Sequence, residues 1–88
     1  MKLWLLRPRG GLKPDPWDPW YDKAFGFVVR AKTETAAREF AAEDAGDEWR
    51  DHGENKGPNP WLEIALSTCV ELTADGVEDV VIRDFHAA

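Results

Sequence analysis

One cysteine, one methionine, one tyrosine and two histidines are all that the 88 residues hold of these types. With Cys69 alone, an intrachain disulfide and a cysteine-rich zinc site are both excluded, and a reducing compartment is expected. The first apolar run, Leu3 to Leu6, is cut by Arg7, Pro8 and Arg9. It is far shorter than the roughly 20 residues of a membrane helix or the apolar region of a signal peptide. We therefore expect a soluble, cytoplasmic protein that does not enter a membrane. Also missing are a phosphate-binding loop, a dinucleotide fingerprint, a paired-histidine zinc motif and a Gly-x-Ser-x-Gly elbow. Nucleophilic catalysis has little to draw on, because Cys69 lies in an apparent strand and His86 in the tail, without an oxyanion-hole signature. Cys69 is read as a packed, inert thiol. The chain is expected to be no enzyme and to use no cofactor.

What is present is an ordinary globular composition, 43% hydrophobic and 32% charged, sized for one domain spanning residues 1–88. Five tryptophans stand out, since each can bury a large area in a chain that has no crosslink to help it fold. The net charge of −6 is unevenly spread. Residues 1–32 carry seven Lys/Arg against three Asp, a balance of +4, while residues 33–88 carry four Lys/Arg against fourteen carboxylates, a balance of −10. An acidic surface repels nucleic-acid phosphate and attracts basic proteins, so a basic protein surface is the expected partner and direct nucleic-acid binding is not expected. Acidity for solubility alone is the plainer explanation of the same balance.

Residues 25–46 organise the chain, because a strand signal there runs directly into a complete helix signal. Phe25, Phe27, Val29 and Ala31 alternate with Gly26, Val28 and Arg30, the period of a strand. Ala36, Ala37, Phe40, Ala41 and Ala45 then fall on one helical side, with Glu34, Arg38, Glu39 and Glu43 mostly on the other. Thr33 is placed to cap this helix and Gly46 to close it, with continuation toward Trp49 left open. Lys2 to Arg7 reads as a first strand ended by Pro8. Trp61 to Leu66 is ambiguous, with Trp61, Leu62, Ala65 and Leu66 fitting a short helical turn that Asn59, before Pro60, would cap. Thr68 to Leu72 and Val80 to Phe85 read as a hairpin joined through Asp75-Gly76. The expected fold is α+β: a mainly antiparallel sheet in β-β-α-β-β order with one helix on one face. Phe25, Phe27, Val29, Phe40, Val70 and Ile82 are its expected core.

Three segments are candidate sites. Asp-Pro-Trp occurs twice, at 15–17 and 18–20, and is followed by Tyr21. Prolines that stiffen a loop bearing Trp17, Trp20 and Tyr21 make a contact surface of low entropic cost. The same rings can instead fold back as a lid on the sheet, which avoids exposing three aromatics on a small chain. The second segment is the acidic run Glu43, Asp44, Asp47, Glu48, Asp51 and Glu54, which can form a negative stripe imitating a phosphate backbone or simply a solvated helix face. Third, Glu48 and His52 are four residues apart among Asp44, Asp47 and Asp51, a spacing that a divalent cation can use. One histidine and the break at Gly53 argue against it, and no metal is expected.

In its size, acidity and lack of catalytic signatures the chain resembles the small accessory proteins encoded by phages and prophages, of the anti-CRISPR inhibitor type. That resemblance implies a non-enzymatic inhibitor that covers a basic, nucleic-acid-binding surface of a partner such as a host defence complex. Glu43, Asp44, Asp47, Glu48 and Asp51 would be its contact residues, with Trp17, Trp20 and Tyr21 as the other partner-binding candidates. A structural subunit of a larger assembly and a small enzyme of unknown reaction are the alternatives.

Overall fold

A computed structural model describes residues 1–20, 23–46 and 59–84. Three strands, β1 (Lys2–Pro8), β2 (Phe27–Ala31) and β3 (Ser67–Leu72), form one sheet in the order β2-β1-β3. Helix α1 (Glu34–Asp44) lies between β2 and β3 in sequence, and a short 3-10 turn (Pro60–Leu62) precedes β3. Both outer strands run antiparallel to β1, with Leu6 opposite Phe27 on one side and Cys69 on the other. β2 and β3 are therefore parallel to each other with β1 between them, a split β-α-β arrangement.

The α+β class and the antiparallel sheet agree with the sequence reading, but the order among the described residues is β-β-α-β. The expected final strand does not form over residues 80–84. Val80 instead donates its N–H to the Asp79 carboxylate at 2.8 Å, so a group that a ladder would use is taken locally. The expected hairpin through Asp75-Gly76 is therefore absent among the described residues, although Gly76 does take a positive φ of 139°.

Alternation sets the two faces of the sheet. Trp4, Leu6, Phe27, Val29, Ala31, Ser67 and Cys69 share the side that α1 covers; Leu3, Leu5, Val28, Val70 and Leu72 share the other. The core gathers Leu6, Trp17, Trp20, Ala31 and Trp61 with Ala37, Ala41 and Ala42 of α1 and with Ala45 at its C-terminal cap. Small residues on the helix leave space that indole rings fill. Trp61 meets Trp17 edge-on at 5.2 Å between ring centroids and Phe27 at 4.9 Å, both favourable aromatic geometries. The indole N–H groups of Trp17, Trp20 and Trp61 find no acceptor among the described residues, a cost set against their large buried area.

The expected core is therefore largely corrected, with two of its six residues packed as expected and four not. Phe27 and Val29 pack against the buried cluster, whereas Phe25, Phe40, Val70 and Ile82 are exposed. Val70 lies on the side of the sheet away from α1, and Ile82, outside the sheet, shares a hollow with Leu5 and Val28 on that side. Phe25 precedes β2, which starts two residues later than expected, and Gly26 between them runs tight against β1. A Cβ on Gly26 would come within 3.1 Å of the Leu6 carbonyl oxygen.

Phe40 is exposed because the helix sits rotated from the expected orientation by a little under one residue step, about 100° at 3.6 residues per turn. Arg38 is the cause. Expected on the solvent side, it is buried, and its guanidinium donates to Ser67 Oγ at 2.8 Å, to the Trp61 carbonyl at 3.0 Å and to the Ser67 carbonyl at 3.0 Å. Its Nε reaches Glu34 at 3.0 Å, one turn back on the helix. Ser67 Oγ in turn donates to the Pro60 carbonyl at 2.7 Å. This network fastens α1 to the 3-10 turn and to the start of β3. Asn59 adds a second tie, donating to the Ala42 carbonyl and capping the turn at Trp61 N. The helix ends match the sequence signals: Thr33 accepts from Ala36 N, and Gly46 takes φ 95°.

Candidate functional site

The two contact segments expected from the sequence have separate fates. Asp15 starts a tight turn by accepting from Trp17 N at 2.9 Å, and Asp18 N and Trp20 N close further turns onto Asp15 and Trp17. These turns aim Trp17 and Trp20 inward, where each is less than 5% exposed. The lid reading holds for both rings, and neither is available to a partner in this conformation. Tyr21 lies outside the described residues.

Of the acidic run, Glu43 and Asp44 are described and are exposed on the last turn of α1. Asp47, Glu48, Asp51 and Glu54 lie outside the described residues, as does His52, so the possible cation site falls there as well. No group of metal-ligating side chains occurs among the described residues. The last turn of α1 holds no basic residue, and the carboxylates also oppose the negative end of the helix dipole. An acidic cluster placed there gains nothing for the helix itself.

Sequence reasoning missed Phe40. The residue is 57% exposed and stands among Glu39, Glu43 and Asp44 on the helix surface. On one side, Ala36, Glu39 and Glu43 flank it in a shallow depression. On the other, Phe40, Glu43 and Asp44 face residues 27–30 of β2 across an open groove of about 540 Å³. No β1 residue lines this groove, so it opens on the outer edge of the sheet. The missing signal was the register of Arg38: once a buried arginine is allowed, Phe40 must turn outward.

The N-terminal cations gather elsewhere. Arg7, Arg9 and Lys23 line a hollow of about 360 Å³ together with Asp15 and the Gly10-Gly11 backbone. Two of them are engaged by the fold, Arg9 Nε donating to the Ile64 carbonyl at 2.8 Å and Lys23 Nζ to the Trp17 carbonyl at 3.2 Å. Cys69 sits half-buried on the helix-covered side of the sheet. Burial pushes its thiol above the ordinary value of 9.0, Glu34 adds to the shift and Arg38 opposes it. That is the reverse of what a nucleophilic thiol needs. No helix among the described residues is long and apolar enough to cross a membrane. No protein-family model, curated protein or solved structure matches the chain.

Proposed function

We propose that this chain is a non-catalytic protein-binding module that presents the outer face of α1 to a basic surface on a protein partner. The observation that supports this reading is Phe40, a large aromatic residue left 57% exposed and edged by Glu39, Glu43 and Asp44. An aromatic anchor inside a charged rim is how the energetic centre of many interfaces is built. The carboxylates steer a basic partner and set the register, while the ring supplies buried area. No metal, cofactor or nucleic acid takes part. A partner that uses its basic surface to bind nucleic acid would be blocked when that surface is covered, which makes the module an inhibitor of the anti-CRISPR kind, acting in the cytoplasm.

The test is affinity capture from cells of the source organism at low and high salt, with the wild type beside Phe40→Ala and Glu43→Lys/Asp44→Lys. The expected partner is retained by the wild type at low salt, is released at high salt, and is lost with either variant. A partner held equally by all three proteins would refute the assignment of this surface. A second reading, a subunit of a larger assembly, draws on the open side of the sheet, where Leu3, Val28 and Val70 are exposed. Loss of the partner with Val70→Lys and not with Phe40→Ala would favour it.

A further inference from the structure

We infer that the groove between β2 and α1 takes an extended peptide that adds to the sheet as a fourth strand. This inference rests on the proposed binding role of the α1 face and specifies the partner's form. β2 is an edge strand: β1 pairs with one side of it, and no described residue pairs with the other. In an antiparallel pair, alternate residues turn their N–H and C=O groups away from the partner, so β2 presents a row of backbone groups outward. Edge strands are commonly shielded by a bulge, a proline or a covering element. β2, Phe27-Val28-Val29-Arg30-Ala31, contains no proline, and what lies beside it is a groove with α1 as its far wall.

The walls dictate the occupant's chemistry. A strand added to β2 turns alternate side chains toward α1 and toward the open side of the sheet. Those facing α1 meet Phe40, Glu43 and Asp44, which call for one apolar residue flanked by lysine or arginine. Those facing the open side lie beside Val28 and Arg30, where uncharged or acidic residues fit and further cations are repelled. The occupant is thus a segment of a partner protein that is basic on one face only, with a two-residue period.

A seven-residue capped peptide, Thr-Lys-Thr-Val-Thr-Lys-Thr, carries that pattern and serves as the probe, with its Glu-for-Lys counterpart as control. Two further versions are N-methylated, one at the Lys and Val residues and the other at the inner Thr residues. A residue's N–H and C=O point to the same edge of a strand, so only one of the two methylated peptides loses the edge that pairs with β2. We expect the unmodified probe to bind the full chain more tightly than the control. We expect the two methylated versions to differ by about tenfold or more, the effect of one to two lost hydrogen bonds. Equal affinity of the two methylated versions, at any level, overturns strand addition, as does a probe that binds no better than its control. The α1-face reading is judged separately by Glu43→Lys/Asp44→Lys. If that variant abolishes binding while the methylated peptides bind alike, the face is right and the added strand is wrong.

Discussion

The loop around Trp17 and Trp20 and the outer face of α1 both set aromatic rings beside carboxylates, yet one is folded inward and the other outward. In the loop, Asp15 and successive tight turns direct the indoles into a core whose helix wall is built from alanine. A chain of 88 residues has little apolar volume to spare, and rings brought in from a loop fill the space that Ala37 and Ala41 leave. On α1 the inward positions are taken by those alanines and by Arg38, and Phe40 is left outside. Bulk alone therefore does not decide which aromatic is structural. What decides it is whether the local backbone can turn the ring toward the unfilled space.

The sharpest way to break this comparison is to empty the core site on which the loop's indole rests. Trp61→Ala removes the ring that Trp17 and Phe27 both pack against, and we expect a loss of about 3–5 kcal/mol in a denaturant titration. Arg38→Ala should cost about 3 kcal/mol, because Ser67 and the Trp61 carbonyl would be left buried without their donor. Arg38→Lys should recover only part of it, since a single ammonium cannot span the same acceptors. A melting temperature unchanged in Arg38→Ala would mean that the helix does not depend on this network for its orientation. Gly26→Ala should lose about 1 kcal/mol, with the Leu6 carbonyl forced to yield a few tenths of an ångström.

Cys69 sharpens the contrast at the smallest scale. Its raised thiol value favours the neutral form in the folded state. The stabilisation this implies is present below the ordinary value of 9.0 and is lost as pH rises through the folded value. Alkylation of the native protein by iodoacetamide at pH 8 should be slower than that of the unfolded chain. Equal rates would show that Cys69 is not shielded by the sheet and helix.

The parts of the fold that could be read from the sequence are those set by neighbours in the chain. Thr33 as the helix cap, Gly46 as its close, Pro8 at the end of β1 and Asn59 before Pro60 each act within a few residues, and each stands where expected. Arg38 could not be read this way, because the buried acceptors it reaches lie 23 and 29 positions further along the chain. A charged residue on an alanine-rich helix is assigned to solvent until those acceptors are known. The expected last strand failed for a related reason. Val80, Val81 and Ile82 have strand propensity, but propensity depends on a neighbouring edge to pair with, and Asp79 captures the first N–H. Of the candidate site, Glu43 and Asp44 were legible as an acidic helix end, while the Phe40 anchor and the groove beside β2 emerged only from the rotation of α1.

Side-by-side denaturant unfolding of Trp17→Ala and Phe40→Ala tests the central claim most directly, namely that the loop aromatics hold the fold while the α1 aromatic is kept for contact. We predict that Trp17→Ala loses about 3–5 kcal/mol and that Phe40→Ala stays within about 0.5 kcal/mol of the wild type. A Phe40→Ala protein as destabilised as Trp17→Ala would contradict the account and return Phe40 to the core.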